Sequence, residues 1–445
     1  MKALLNEFEA KALLEKVIRL SKAEECTAFL SGEIKGNIRY ARNEVSTSGS
    51  ITNQNLLVQA AFGKKVGTAT IDEFDEASLE RVVRRAEELA RLAPENPEYM
   101  PNLGPQQYLE SKGYFESTAA FDADKRAEAV AKSLAIADQD GLTSAGFLEN
   151  QTAFSAMMNS KGLFAYYPST LINFSLTVRT SDGTGSGYVI RGYNDASKLD
   201  TEALTQIAVA KAKGSVNAKA LEPGKYTVIL EPTAAAVLME SLYGDLDARS
   251  ADEGRSAFSL PGGKTRLGEK IVDERVTIYS DPTNPDLPSP AWSGDGLPQY
   301  KVYWIEKGVV KNLAYSQYWA QQKGKSPLPY PNNLIMEGGT ESLEDMIKGT
   351  KKGILVTKLW YIRPVDPQSL LMTGLTRDGT FYIEDGKIKF PVKNFRFNES
   401  PIIMLNNLES LGKSERVVST ESDQSYMVPA MKIREFTFSS LSDAV

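Results

Sequence analysis

The chain has 445 residues, 42% of them apolar, which suits a sizeable core divided among two or three domains. It contains no histidine and one cysteine, Cys26, which excludes Ser/His/Asp triads, Cys/His dyads, His-ligated zinc, intrachain disulfides and Cys-rich metal sites. A net charge of −6 argues against a duplex-binding surface, which needs clustered Lys and Arg.

Residues 1–20 mix acidic and basic side chains and lack the charged-then-apolar order of a signal peptide. No run of about 18 apolar residues offers a membrane span. With the low cysteine usage, this leads us to expect a cytoplasmic protein. Residues 5–20 read as a helix, with Leu5, Phe8 and Ala12 about one turn apart. Cys26 precedes an apolar run and reads as a small buried hydrophobe. Residues 27–30 read as a short strand, and 37–48 alternate in part. Residues 55–62 and 66–71 read as strands joined by a Gly63-Lys64-Lys65 turn. The clearest helix is 73–93, where Leu79, Val82, Val83, Ala86, Leu89 and Ala90 share one face. Residues 92–105 are proline-rich and read as a linker.

A second unit follows. Residues 121–137 read as a helix capped by Asp122. Residues 147–167 are strand-like around an Asn159-Ser160-Lys161-Gly162 turn, and 172–180 and 188–192 read as strands. Residues 201–216 read as a helix. The GTGSG stretch from Gly183 tempts a phosphate-loop reading. It lacks the trailing Gly-Lys-Ser/Thr and reads better as a hairpin turn. The two units, about 1–105 and 106–222, share an order of strands, glycine turn, strand and helix, which suggests a diverged internal duplication.

Residues 225–245, KYTVILEPTAAAVLMESLYGD, organise the remainder. Residues 226–231 suit a strand with both faces covered. Pro232 fits the first turn of a helix, Ala234 to Leu242 continue it, and Gly244 is the expected stop. Beyond it lie the charged run ARSADEGR (248–255), a short helix at 341–348 and many short strands. The strands are expected at 271–279, 299–306, 309–313, 334–337, 354–361, 370–376, 379–384, 387–391, 395–397 and 431–438. The fold class expected is α+β. An N-terminal α/β domain (1–222) precedes a mainly antiparallel β sandwich or partly closed barrel (223–445), entered through the strand–helix unit.

Several stretches carry a family resemblance: the 225–245 segment, LGEK from Leu267, GDGLP from Gly294, WIEKGVVKN from Trp304, NNLIMEGGTESLEDMIKGTKKGILVT from Asn332, TGLTRDGTFYIEDGKIKFPVKNFRFNES from Thr373 and the tail from Val428. GKKVG from Gly63 adds an N-terminal match. Together they resemble the TldD/PmbA family, once called modulators of DNA gyrase. The resemblance implies an HExxxH zinc motif on the 232–244 helix and a cysteine ligand near the C-terminus. Here Met239 and Gly244 stand at the histidine positions, Glu240 at the glutamate, and residues 419–425 include no cysteine. A thioether and a glycine cannot replace imidazoles on zinc. The chain therefore resembles the PmbA/TldE-type branch, whose metal-free subunit pairs with a TldD-type zinc subunit to process or degrade peptides.

That resemblance leads us to expect no catalytic residue and no metal or cofactor in this chain, with Met239, Glu240 and Gly244 as relics. Zinc is expected only in a TldD-type partner. The partner is that subunit or a second copy of this chain, and the substrate is a peptide. Candidate substrate-binding residues are Asp252, Glu253, Arg255, Asp295 and Trp360. Asp252 and Glu253 are adjacent, and a salt-bridging role with Arg249 and Arg255 competes with a catalytic one. The other hypothesis is an independent carboxylate-dependent hydrolase using Glu240, Asp252, Glu253 and Asp295.

Overall fold

The computed structural model describes residues 4–442. Helix α1 (Glu7–Leu20) begins with a reciprocal Asn6–Glu9 capping box. Strands β1 (Glu25–Ala41), β2 (Glu44–Phe62) and β3 (Lys65–Ile71) follow, then helix α2 (Glu76–Leu92), capped by Asp75. After one turn of helix, α3 (Glu116–Ala119), the order repeats. It runs α4 (Ala123–Gln139), β4 (Thr143–Asn159), β5 (Phe164–Arg179), β6 (Ser186–Tyr193) and α5 (Thr201–Gly214).

These six strands make one antiparallel sheet in the order β3-β2-β1-β4-β5-β6. β1 and β4 pair at its centre, Ser31 opposite Ser155, so the two halves match about that pair. The GTGSG stretch turns β5 into β6, with Gly183 at φ 73°. Cys26 is buried, and burial pushes its thiol up to about 11. β1 is far longer than the short strand expected at 27–30. Gly32 and Gly36, which suggest a break, are close approaches instead. A Cβ at Gly32 would lie 2.4 Å from the Phe154 ring, and one at Gly36 would lie 2.3 Å from the Arg126 guanidinium.

The C-terminal region is a larger, mostly antiparallel sheet that stays open and does not close into a barrel. Its centre is β7 (Gly224–Leu230), whose Val228, Ile229 and Leu230 are fully buried. It pairs in parallel with the strand Lys352–Val356 and antiparallel with the strand Ser425–Leu441. β7 feeds α6 (Pro232–Gly244), with Pro232 in the first turn. Gly244 is the last helical residue rather than the stop, and Asp245 is the cap.

Several expected strands are shorter or split. Of 271–279 only Ile278 and Tyr279 are strand, within Ile278–Ser280, and 354–361 breaks between Lys352–Val356 and Leu359–Asp366. The break is chemical: Thr357 Oγ1 donates to the Asp378 and Gly379 carbonyls, and Lys358 reaches the Asp378 carboxylate. The helices Gln317–Lys323 and Pro401–Asn406 and the strand Leu408–Val418 have no counterpart in the sequence reading. Among the described residues no helix is long and apolar enough to cross a membrane.

The two sheets are joined by polar contacts. Tyr108 donates to the Gly296 carbonyl at 2.8 Å, and Ser111 to that of Pro282 at 2.6 Å. The deepest junction is Asp378, which accepts from Ser186 of β6 at 2.6 Å and pairs with Lys358 at 2.9 Å. The Lys358 ammonium lies 3.6 Å from the Tyr188 ring centroid. Burial alone would raise the Asp378 carboxyl, but Lys358 and Ser186 outweigh it and hold the group below its ordinary value. Asp378→Ala leaves Lys358 charged, buried and unpaired, so it is expected to cost about 3 kcal/mol, read as a lower urea midpoint. The double variant Lys358→Met, Asp378→Asn should recover most of that loss, because no buried charge remains in the pair and asparagine tolerates the φ of 53° at this position.

Candidate functional site

Helix α6 is apolar on nearly every side: Ala234, Ala235, Ala236, Val237, Leu238, Met239 and Leu242 are all buried. Met239 therefore packs in the core, and Gly244 is exposed at the helix end. Glu240 is half-buried and is the one carboxylate on the helix. Its Oε2 accepts from Ser419 Oγ at 2.5 Å. Ser419 is fully buried and begins the loop between the strands Leu408–Val418 and Ser425–Leu441. Its N–H donates to the Gln424 carbonyl at 2.8 Å, and the Glu421 N–H donates to its Oγ at 3.2 Å. The loop where the resemblance places the third metal ligand thus reaches the motif helix, and a serine hydroxyl makes the contact.

Tyrosines crowd this carboxylate. Burial, then the Glu240 charge, push the Tyr426 phenol above its ordinary value. The Tyr426 and Tyr243 rings lie 5.3 Å apart. Tyr330 donates to the Tyr243 carbonyl, and burial followed by the nearby Asp245 raises its phenol to about 12. Asp245, just past α6, accepts from Ala257 N–H at 2.7 Å and Ser256 Oγ at 3.0 Å. Burial nevertheless dominates and raises its carboxyl to about 6.

The family-implied zinc does not fit this donor set. One carboxylate, a buried thioether and a hydroxyl already bonded to that carboxylate are neither the number nor the type of ligands zinc requires. Among the described residues no group of three His, Cys, Asp or Glu side chains is placed to hold a metal ion.

Most of the other candidates gather around the helix Gln317–Lys323. Asp252 accepts from Trp319 Nε1 at 2.8 Å and pairs with Lys323 at 3.4 Å. Glu253 pairs with Arg249 at 3.0 Å and Arg255 at 2.5 Å, and these hydrogen bonds hold its carboxyl below the ordinary value. Arg249 also reaches Glu98 at 2.9 Å, tying this cluster to the N-terminal region. Asp295 accepts from Gln317 Nε2 at 2.9 Å and from Ser293 Oγ. It lines a cavity of about 380 Å³ shared with Phe29, Gln59, Asn102 and Met157. Trp360 lies elsewhere, beside the Ser419 loop: the Tyr361 N–H donates to Glu421 at 2.8 Å. A register shift and a φ of 58° at Tyr361 leave both rings exposed. Arg377 lies 4.2 Å from the Trp360 ring centroid, and Arg363 lies 4.2 Å from that of Tyr361.

Sequence reasoning placed Glu240 on its helix but missed Ser419 and Tyr426 as its neighbours, and Tyr330 and Asp245 as groups packed around the end of the helix. The signal available was the serine-rich run at 419–425; the tyrosines come from distant segments and leave no local trace.

The site is thus a glutamate satisfied by a hydroxyl, on a helix fed by a buried strand of an open, mostly antiparallel sheet. Family comparison gives the class, a metallopeptidase-like chain. The models for the PmbA/TldA metallopeptidase domain 1, central domain and C-terminal domain match residues 26–90, 114–216 and 223–440, and the chain belongs to the PmbA/TldD family. A metalloprotease of Methanothermobacter thermautotrophicus is 25% identical over 320 residues, 66% of this chain and 68% of the relative. A metalloprotease TldD homologue of Haemophilus influenzae is 24% identical, over 85% of each chain. The crystal structure of TldE from Thermococcus kodakarensis shares the fold with a TM-score of 0.86 at 20% identity, covering 97% of this chain and 99% of that one.

The Asp245 carboxyl titrates at about 6 folded and 3.8 as a free group, so the unfolded chain releases its proton first. This group therefore lowers stability as pH rises from about 4 to about 6, and the loss stays constant above that. Asp245→Asn keeps an oxygen for Ala257 and Ser256. It is expected to raise stability at pH 8 by on the order of 1 kcal/mol, allowing for partial exposure, with little change at pH 4. Thermal unfolding of both proteins across that range checks the sign.

Proposed function

We propose that this chain is the non-catalytic subunit of a TldD/TldE-like complex that processes or degrades peptides, and that it falls in the PmbA/TldE-type branch. The observation that carries the reading is the occupant of the motif helix: Glu240 faces Ser419 rather than a set of metal donors. Without a metal to lower the pKa of water, a carboxylate held by a hydroxyl has no activated nucleophile to offer. Relatives described as metalloproteases, and the fold shared with a protein described as TldE, agree with a role beside a zinc-bearing, TldD-type subunit. The compartment we assign is the cytoplasm.

In this reading the C-terminal region, 223–445, meets the partner and the substrate. The exposed Trp360 and Tyr361 rings with Arg363 and Arg377 suit a peptide backbone and its carbonyls. Asp295, at the wall of its cavity, suits a cationic side chain. Asp252, Glu253 and Arg255 contribute the charged rim. The independent-hydrolase reading has less support, because Glu240, Asp252 and Glu253 are each tied to specific donors.

The purified chain is expected to carry well under 0.1 zinc per chain by elemental analysis after dialysis, and to leave unstructured peptides intact. Mixed with a TldD-type subunit whose HExxxH is intact, it should co-elute and peptide cleavage should appear. Retention of one zinc per chain would defeat the proposal. Cleavage by the isolated chain that disappears in Glu240→Gln would favour the independent hydrolase instead.

A further inference from the structure

The buried carboxylates of Asp378 and Glu87 each carry a cation, Lys358 at 2.9 Å and Arg84 at 2.6 Å. Arg416 is the converse case. It lies on the strand Leu408–Val418 and is only 9% exposed, yet no carboxylate among the described residues forms an ion pair with it. Its Nη1 donates to Asn194 Oδ1 at 2.5 Å and to the Asp286 carbonyl at 2.8 Å. The Asp286 carboxylate itself is turned to Lys198 at 2.9 Å. Nε is buried with no acceptor among the described residues, and none of the bonds made by this side chain leaves from Nη2. One two-pronged edge of the guanidinium, Nε–H beside Nη2–H, therefore has nothing in the chain to bind. Burial pushes the group down to about 10, and Tyr193, Tyr167 and Asp286 offset that only in part.

Two more donors belong to the same junction between the sheets. Tyr167 of β5 and Ser289 are buried, and neither hydroxyl has a partner among the described residues. The segments that carry them already meet. The Ser289 N–H donates to the Pro282 carbonyl at 3.1 Å, and Ser111 Oγ donates to the same carbonyl at 2.6 Å. Two residues on, a Cβ at Gly113 would lie 2.0 Å from the Tyr167 hydroxyl. Burial raises the Tyr167 phenol, against the pull of Ser111 and of the Arg416 charge, so it keeps its proton and can donate. A buried cation beside hydroxyl groups, with no acid to balance it, suits an anion. The fork of Nε–H and Nη2–H matches a carboxylate or a halide, and a single guanidinium balances one negative charge. Arg126, the other buried arginine, is closed off. It donates to Asn150 Oδ1 and the Phe121 carbonyl, and the Gly36 backbone covers its guanidinium, where a Cβ would lie 2.3 Å from Nη1 and 2.7 Å from Nη2.

We propose that Arg416, with Tyr167 and Ser289, forms an internal binding site for a small monovalent anion, a halide or a carboxylate of acetate size, where the two sheets join. Tyr167 and Asn194 come from the N-terminal region, and Ser289, Asp286 and Arg416 from the C-terminal one, so the bound anion strengthens the union of the two. The inference is independent of the peptide-processing reading.

Thermal unfolding of the full chain at neutral pH and constant ionic strength tests it, with sodium gluconate exchanged stepwise for sodium chloride or sodium acetate. Gluconate is too large for a buried site. The midpoint should rise by about 2 °C and then level off as the site fills, with chloride, with acetate or with both, and the anion that acts identifies the natural class. Arg416→Met should abolish the rise. Tyr167→Phe keeps the packed ring and loses only the hydroxyl, so it should fold and need about five-fold more salt for half the effect. Arg126→Met should keep the wild-type response. A wild-type midpoint that responds to neither salt would overturn the proposal, as would a rise that never levels off. So would a response that either Arg416→Met or Tyr167→Phe leaves unchanged, or one that Arg126→Met abolishes equally.

Discussion

The burial of β7 on both faces governs the C-terminal region. Its neighbours on either side, Lys352–Val356 and Ser425–Leu441, run in opposite senses, and each takes its register from β7. α6 leaves the end of β7 directly and enters a core that is apolar all round it. A polar side chain on such a helix must find a partner in the protein or reach water. Glu240 meets that demand through Ser419, and the same requirement draws the loop after the strand Leu408–Val418 against the helix. Position and chemistry are therefore linked: the buried strand aims the helix, and the one carboxylate on the helix fixes the loop.

That loop carries consequences outward. Glu421, two residues past Ser419, accepts from the Tyr361 N–H and pairs with Arg363 at 3.4 Å. The exposed aromatic and cationic surface around Trp360 is thus joined to the motif helix by a short chain of hydrogen bonds. The Asp252, Glu253 and Asp295 cluster is organised separately, by the helix Gln317–Lys323, and connects to the N-terminal region through Arg249 and Glu98. Two polar surfaces result, and only the first touches the position where relatives of this family are expected to act.

Much of this was legible in order along the chain. The periodicity of 73–93 located α2, Asp122 was a recognisable cap, and the Pro232 and alanine-rich run located α6. The recurring order of strands, turn, strand and helix in the N-terminal region was legible because its turns are glycine-rich. The length of β1 was not, because Gly32 and Gly36 interrupt the apolar alternation between 27–30 and 37–48 where the strand meets Phe154 and Arg126 closely. The Leu408–Val418 strand was hidden by its Gly412-Lys413 interruption and uneven register. The neighbours of Glu240 were illegible for a different reason. Ser419 and Tyr426 flank the turn of one hairpin, and that hairpin reaches the helix only because its second strand pairs with β7, about two hundred residues earlier, which no local pattern encodes.

The stability of the α6 helix needs no bound metal, for a physical reason. In a structural zinc site the metal supplies folding energy, and losing the ligands unfolds the element that carried them. α6 does not depend on such a term. Val237, Leu238, Met239 and Leu242 are buried, and at about 1.5–3 kcal/mol for each large apolar side chain their packing alone secures the helix. At position 239 the methionine side chain adds apolar contact within that core. At position 244 glycine lies at the exposed end, where a side chain has nothing within 4 Å to lose. The residue type at either position can thus vary on this scaffold without the helix depending on it, and the chemistry of the site is set by Glu240 and the groups that reach it.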